Sequence, residues 1–437
     1  MNIAVVHNRY GAHSGEETVV EGILDLLAAR GHRTACFMRS SAEIPAQVLG
    51  KARAFFSGIY NPVARSAFRR FLSEARPDLV HIHNLFPLIS PSVLLECRRA
   101  KIPVVMTVHN HRLVCPTGLH LSKRDPRTCE RCCGGREYWC VLRNCEGSLC
   151  KSLGYALRNA VARRAGWYRE NVALYACLAE FQRRRLIREG YPEDRITVVP
   201  NMVQAGLPAG EGPLGEYVGF AGRVSPEKGV DTLVSAARIC PEIPFRIAGR
   251  VDRMSEVVDR APDNCTFLGH LGPEDLSGFY AGSRMLVVPS VWYEAFGLCA
   301  VEAQAHGKPV VCSRMGALPE IVVHGETGLL FEAGNAVELA GRIRSLWRQP
   351  RRCREMGRAG RDRVLREYGA GPYYERLMAA YEKAIALGPP GPRHRALDPA
   401  PRPHCGQVRG VDPSCEDPCW TGRAEGVRVN KEGVCSR

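Results

Sequence analysis

Short apolar runs alternate with longer amphipathic segments along almost the whole chain, and that alternation admits few architectures. Strands are predicted at residues 3–7, 34–38, 79–83, 103–109, 173–178 and 196–199. Helices are predicted between several of them, at 16–30 with Gly31 as the stop, 90–100, 152–167 and 180–189. A second set of strands follows at 217–221, 245–248, 266–268, 285–288 and 310–312, again with helices between, and further helices at 337–347, 351–368 and 373–387. Strand-then-helix repetition requires parallel strands, because a parallel partner is reached only through a crossover, and the helices then cover both faces of the sheet. The expected fold class is α/β, with two doubly wound, Rossmann-like parallel-sheet domains facing a cleft. A chain of 437 residues has room for both.

The break between the two sets falls at 203–216, a Gly-, Pro- and Ala-rich stretch that reads as a linker. The first domain is then 1–202 and the second 217–387, with the last helix free to return to the first domain. From 388 to 437 no apolar period survives, and the stretch reads as a disordered tail. Its cysteines, Cys405, Cys415, Cys419 and Cys435, could form a small metal site, but a non-functional extension is the plainer reading. No run of eighteen apolar residues exists, so no transmembrane helix is expected. The first residues enter a strand directly, without a basic leader, which points to the cytoplasm and to cysteines that are reduced or metal-bound. A net charge of +15 suits a phosphorylated substrate, an anionic membrane surface or nucleic acid.

Residues 287–302 read V-V-P-S-V-W-Y-E-A-F-G-L-C-A-V-E, with Glu294 in a loop and Glu302 on the second turn of a helix expected over 296–306. Eight helical residues rise about 12 Å, the span of a sugar joined through a diphosphate to a ribose. Phe296, Gly297 and Leu298 put backbone N–H groups at the helix start, where a negative group is favoured. A carboxylate can accept two sugar hydroxyls, so Glu294 suits the transferred sugar and Glu302 the ribose. The plain alternative is two surface glutamates around a helix start. Upstream, residues 219–229 read G-F-A-G-R-V-S-P-E-K-G, and Arg223 and Lys228 can clamp a diphosphate. This is not P-loop spacing, and no dinucleotide fingerprint follows the first strand. No Asp-x-Asp occurs anywhere, so a metal-clamped diphosphate lacks its usual ligands.

Arg223 and Lys228 in G-R-x4-K-G, followed by Glu294 and Glu302 in E-x7-E, resemble the retaining glycosyltransferases of family 4, which have the GT-B fold of two Rossmann-like domains. The resemblance covers about residues 1–387. Supporting pieces are G-A-H-S-G-E-E at 11–17, H-I-H-N at 81–84, T-V-H-N at 107–110, V-V-P-N at 198–201 and G-E-T-G-L-L at 325–330. It implies that a nucleotide-sugar donor binds the second domain and that Arg223 and Lys228 neutralise the leaving diphosphate, with no catalytic cofactor. It implies retention of configuration by same-face attack. His109, at a strand end, would stabilise the oxocarbenium-like centre, or else be a buried histidine with a structural partner. Acceptor contacts would come from Gly15, Glu16, His83 and Asn84, although Glu16 reads equally well as a charge on its helix dipole.

The stretch 115–150 holds seven cysteines, with Cys129 and Cys132 at metal-ligand spacing. A cysteine-bearing subset of the family shows C-P-x-G, C-x2-C and a later Cys, which map onto Cys115, Cys129, Cys132 and Cys145 as a structural zinc site. Cys133, Cys140 and Cys150 remain as spares. Reduced thiols that merely pack, or an iron–sulfur cluster, are the alternatives. The acceptor is expected to be a glycan or lipid-linked. The basic stretch 151–169, with Leu153, Leu157 and Val161 in one stripe, suits an anionic inner membrane face, and equally an ordinary core-facing helix. A zinc-containing nucleic-acid-binding protein fits the charge, yet no recognition motif appears and the aromatics do not interleave with the basic residues. A sugar-nucleotide epimerase or a phosphorylase would share the fold, and E-x7-E with A-F-G-L inside it favours transfer over both.

Overall fold

The computed structural model describes residues 1–10, 14–43, 50–123, 127–203, 214–252 and 254–389, without the side chains of 50–54. Three sequence expectations therefore lie wholly or largely outside the described residues: the first part of the glycine loop at 11–13, the linker at 204–213, and the tail from 390 with its four cysteines.

The first half contains β1 (Asn2–Arg9), α1 (Gly15–Ala29), β2 (Arg33–Ser40), α2 (Gly50–Ile59), α3 (Pro62–Ala75), β3 (Leu79–Asn84), α4 (Leu94–Ala100), β4 (Val104–Val108), α5 (Tyr138–Leu142), α6 (Leu149–Arg164), β5 (Leu174–Cys177), α7 (Glu180–Arg188) and β6 (Ile196–Val198). Its six strands lie in the order β2-β1-β3-β4-β5-β6, and every pairing is parallel. The second half contains β7 (Tyr217–Ala221), α8 (Val230–Ile239), β8 (Phe245–Ala248), α9 (Ser255–Asp259), β9 (Cys265–Gly269), α10 (Pro273–Gly282), β10 (Ser283–Val288), α11 (Leu298–Ala305), β11 (Val310–Ser313), α12 (Leu318–Ile321) and β12 (Gly328–Phe331), then α13 (Ala336–Trp347), α14 (Pro350–Tyr368) and α15 (Ala370–Leu387). Its sheet runs β12-β11-β10-β7-β8-β9, again parallel throughout.

The central strands are mostly apolar because helices bury them on both faces: β4 and β5 are buried at every position, whereas the edge strands β2 and β9 are not. Four helices and a strand had no counterpart in the sequence reading. They are α2 and α3 between β2 and β3, the short α5 and α12, and β12, whose residues overlap the loop motif at 325–330. In α3 the buried residues Ala64, Phe68 and Leu72 recur every four positions, Asn61 accepts a hydrogen bond from the Ala64 N–H at 3.0 Å, and Pro62 occupies the first turn.

Each sheet reverses its strand order once, between β1 and β3 in the first and between β7 and β10 in the second. Loops leaving the carboxyl ends of such a pair turn to opposite sides and open a crevice. The candidate residues sit on these loops. The last helix crosses back: Tyr373, Leu377, Ala380, Tyr381 and Ala384 of α15 are buried with Ile3, Val5, Leu174 and Ala176 of the first sheet. Tyr381 Oη lies 2.7 Å from His81 Nδ1. The two halves also meet where the Glu320 carboxylate accepts the Glu180 and Phe181 N–H groups at 2.8 and 2.6 Å, capping α7 from the other side.

Candidate functional site

At the second crevice, β7 leads through Arg223 into a short turn, Pro226–Lys228, and Gly229 then starts α8. Gly229 has φ 71°, and a Cβ there would lie 1.9 Å from the Pro289 carbonyl oxygen, so the turn rests directly on the loop leaving β10. That contact brings Lys228 Nζ to 2.7 Å from Glu294 Oε1, and the Ser290 hydroxyl donates to the same oxygen at 2.5 Å. Glu294 is only 5% exposed. Burial works against both charges, but each partner outweighs it: Glu294 lies below the usual carboxylate range and Lys228 above the usual amine range. Arg223 is exposed and turns to Glu227 at 2.9 Å, with Asp252 at 3.9 Å.

The helix expected over 296–306 begins at Leu298, because Gly297 has φ 110° and serves as its N-cap. The Phe296 side chain is buried and packs edge-on against Tyr368 at 5.6 Å, so only its backbone faces the site. The Ala300 N–H closes the first turn on Gly297. The N–H groups of Leu298 and Cys299 thus stand at the open end of the helix. Glu302, on the second turn, accepts a hydrogen bond from Tyr280 Oη at 2.6 Å, and burial raises its carboxyl above the ordinary range. Cys299 is held up to about 12 by burial, and it feels the charges of Lys228, Glu294 and Glu302 together.

At the first crevice the structure gathers His7, Tyr10 and Glu16 with His83, Asn84, His109 and Arg112. His83 Nδ1 and His109 Nε2 are 2.8 Å apart. Burial, followed by the neighbouring histidines, holds His109 down to about 3 and His83 well below its ordinary value. Both rings are neutral at physiological pH, so they act as hydrogen-bonding groups rather than cations. Asn84 is engaged inward: it donates to the Asn8 carbonyl at 2.9 Å and accepts from Phe86 N–H at 3.1 Å and Arg112 Nη1 at 3.3 Å. Glu17, not Glu16, caps α1, accepting the Ser14 N–H at 2.5 Å. Glu16 instead accepts from Tyr10 Oη at 3.1 Å and lies 3.7 Å from His7 Nδ1. Burial raises its carboxyl to about 7 against the pull of Arg112. Four buried atoms here have no hydrogen-bond partner: both His7 nitrogens, His83 Nε2 and Glu16 Oε1. Gly15 faces the opposite half, where a Cβ would lie 3.1 Å from Leu298 Cδ1, so the starts of α1 and α11 nearly touch.

Sequence reading did not single out His7, Tyr10, Arg112, Ser290 or Tyr280. His7 and Asn8 carried a usable signal, as polar residues ending an otherwise apolar strand.

In the insertion, Cys132, Cys140 and Cys145 are buried with Ala156 of α6. Burial, then the nearby Cys115, Cys145, Cys129 and Cys133, raises the Cys132 thiol. Among the described residues no group of three or more His, Cys, Asp or Glu converges in a metal-holding arrangement.

Two family models match the chain, Glycosyl transferases group 1 over residues 212–363 and Glycosyltransferase Family 4 over residues 13–206. A glycogen synthase from Mycobacterium tuberculosis is 27% identical over 313 residues, 67% of this chain and 66% of that protein. An alpha-maltose-1-phosphate synthase from Mycolicibacterium smegmatis is 31% identical over 225 residues, 44% of this chain and 58% of that protein. The chain thus spans somewhat under two thirds of both relatives. The sucrose-phosphate synthase structure from Thermosynechococcus elongatus superposes with TM-score 0.67 and 21% identity, covering 88% of this chain and 99% of that one. Anabaena HepE in complex with UDP-glucose superposes with TM-score 0.62 and 17% identity, covering 87% and 99%. These likenesses show a GT-B fold.

Proposed function

The chain belongs to the glycosyltransferases of the group 1, family 4 type, and we propose that it moves a sugar from a nucleotide-diphosphate sugar to a glycan or lipid-linked acceptor with retention of anomeric configuration. The observation that carries this reading is the buried Lys228–Glu294 pair at 2.7 Å, set beside the start of α11 in the second crevice. A cation and a helix start are suited to a diphosphate whose charge grows as the bond to the sugar breaks. Glu294 accepts hydroxyls of the moving sugar, and Glu302, one and a half turns into α11, accepts those of the ribose. His109, neutral and paired with His83, faces the sugar from the first sheet. HepE, of the same fold, was solved with UDP-glucose, which makes uridine donors the first to try. The test is a thermal-shift screen of nucleotide sugars, because a ligand bound only by the native state raises Tm. At least one donor should raise Tm, and Lys228→Ala should abolish the rise. If no nucleotide sugar stabilises the protein, the reading fails.

We place the protein in the cytoplasm, peripheral at an anionic membrane face. No helix among the described residues is long and apolar enough to cross a membrane. The helix α6 has a buried face of Ser152, Gly154, Ala156, Arg158 and Ala162. Its opposite stripe leaves Leu149, Leu153 and Leu157 at 62%, 50% and 42% exposure, and the helix carries no acidic residue. Val161, expected in that stripe, is half-buried. Exposed leucines on a basic helix favour an anionic interface. Leu153→Glu with Leu157→Glu should weaken binding to phosphatidylglycerol vesicles, read by co-flotation, about thirtyfold or more, each lost leucine being worth ~1 kcal/mol or more at an interface. Unchanged flotation would place the contact elsewhere.

For the insertion we propose a structural zinc on Cys115, Cys129, Cys132 and Cys145. The donor chemistry suits zinc, and the thiols are near enough to perturb one another, but they must draw together to share one ion. Purified protein should carry close to one zinc per chain by elemental analysis, and Cys129→Ser should lower both zinc content and Tm. Metal-free protein of undiminished Tm and turnover would remove the zinc from the account.

A further inference from the structure

Only two arginines among the described residues are buried, and they are treated very differently. Arg185 pairs with Glu130 at 2.6 Å. Arg158, 5% exposed on α6, has no carboxylate partner among the described residues. Its polar contacts are one carbonyl, Pro116 O at 2.8 Å, and one amide oxygen, Asn159 Oδ1 at 3.3 Å. The rest of its guanidinium lies against aromatic faces, 4.0 Å from the Phe86 centroid and 4.5 Å from that of Tyr155. A second cation shares Phe86: Arg112 lies 5.9 Å from the same ring and 6.0 Å from Tyr10. Among the described residues the Arg112 side chain hydrogen-bonds to Asn84 at 3.3 Å and to Tyr10, and the acid in its field, Glu16, is held up to about 7 by burial. Like charges so placed oppose one another, and burial together with Arg112 pulls Arg158 down to about 10, still cationic at neutral pH.

An uncompensated buried guanidinium is costly, and five N–H donors with two acceptors leave the fork open. Arg112 and Phe86 stand on the loops leaving β4 and β3, at the carboxyl edge of the first sheet where acceptors would enter. We infer that Arg112 and Arg158 bind an anionic group of the acceptor, a phosphate or a carboxylate, seated at Phe86 beside the Glu16–His7 corner. The placement as an acceptor site rests on the transferase reading, but the anion site itself does not. Planar guanidinium groups match such oxyanions in pairs, and the pair would select charged acceptors over neutral glycans. The same chemistry is offered by a lipid phosphate and by a soluble sugar phosphate.

Inorganic phosphate is the probe, and Lys228→Ala is the background, so that the donor-side diphosphate site is weakened. Phosphate should raise Tm saturably in Lys228→Ala protein. Adding Arg158→Gln, or separately Arg112→Gln, should weaken the apparent affinity about tenfold or more, as expected for loss of a charge-assisted hydrogen bond, while Arg158→Lys should keep part of it. A phosphate response of equal size in both Gln variants overturns the inference, as does no response in the Lys228→Ala protein. Because two separate arginines are tested, failure of one variant to fold leaves the other to decide. A second arm compares phosphatidylglycerol with phosphatidylcholine vesicles: Arg158-dependent preference for the former assigns the group to a lipid, and phosphate binding without that preference assigns it to a soluble acceptor. If phosphate binds but no nucleotide sugar does, the anion site stands and the transferase reading falls.

Discussion

Replacing Glu294 by Gln should lower kcat on the order of 10²-fold while leaving the KM for the donor within a few-fold. The carboxylate is buried, ionised and oriented by Lys228 and Ser290, so the substitution keeps its shape and removes its charge. If Glu294 holds hydroxyls of the moving sugar, it works where positive charge develops, and the loss falls on the chemical step. Glu302→Gln should behave differently. If its contact is with the ribose, which does not change during transfer, KM should rise by a factor equivalent to about 1.5–3 kcal/mol at most, with kcat less affected. Lys228→Ala removes the cation proposed for the diphosphate and also strands Glu294 without its counter-charge, so kcat, KM and Tm should all suffer. Arg223→Ala should damage kcat and KM with little change in Tm, because that side chain is half exposed. The measurement is steady-state release of nucleoside diphosphate across donor concentrations at saturating acceptor. Parent-like turnover by Glu294→Gln would show that this stretch does not carry the transfer.

The second large effect is on folding. Gly229→Ala should cost about 3–5 kcal/mol, enough to shift the denaturant midpoint of the second half severely. A left-handed backbone costs a non-glycine residue about 1–2 kcal/mol, and here a methyl would also sit 1.9 Å from the Pro289 carbonyl, a rigid backbone atom. The Lys228 turn and the Glu294 loop would have to part, so donor binding should fall together with stability. Gly341→Ala is the matched control. It lies in α13 with nothing within 4 Å of the added carbon, and it should be neutral or stabilising by up to about 1 kcal/mol. Equal midpoints for the two variants in urea would show that the close approach at Pro289 is relieved at little cost.

How much of this could be read from the chain depends on where each group sits in sequence. Strands such as β5 and β11 were legible because each is a short, almost wholly apolar run. The cluster we propose for the donor was legible because Arg223 and Lys228 share one turn, and Glu294 and Glu302 share one loop and helix. The proposed acceptor side draws on β1, α1, β3, β4 and α6, and no local spacing links His7 to Glu16, Arg112 or Arg158. Arg158 is the sharpest case: inside a basic helix it reads as a solvated charge, and only the packing of α6 shows that it points inward. Among the helices, α3 escaped because F-R-R-F surrounds its buried positions with charge, and β12 because Gly328 opens it within a run of turn residues.

The return of α15 to the first sheet bears on how the protein is made. Tyr381 is fully buried against His81, and residues 3 and 381 share one core, although nearly the whole chain separates them. On the ribosome the first half can pair its strands early, but one face lacks its cover until the last helix emerges. The N-terminal half is thus not a unit that can be expressed alone by stopping near residue 202, because it would present an apolar face that the intact chain seals last. A chain truncated within α15 should be cleared by proteases even though every candidate active-site residue is present.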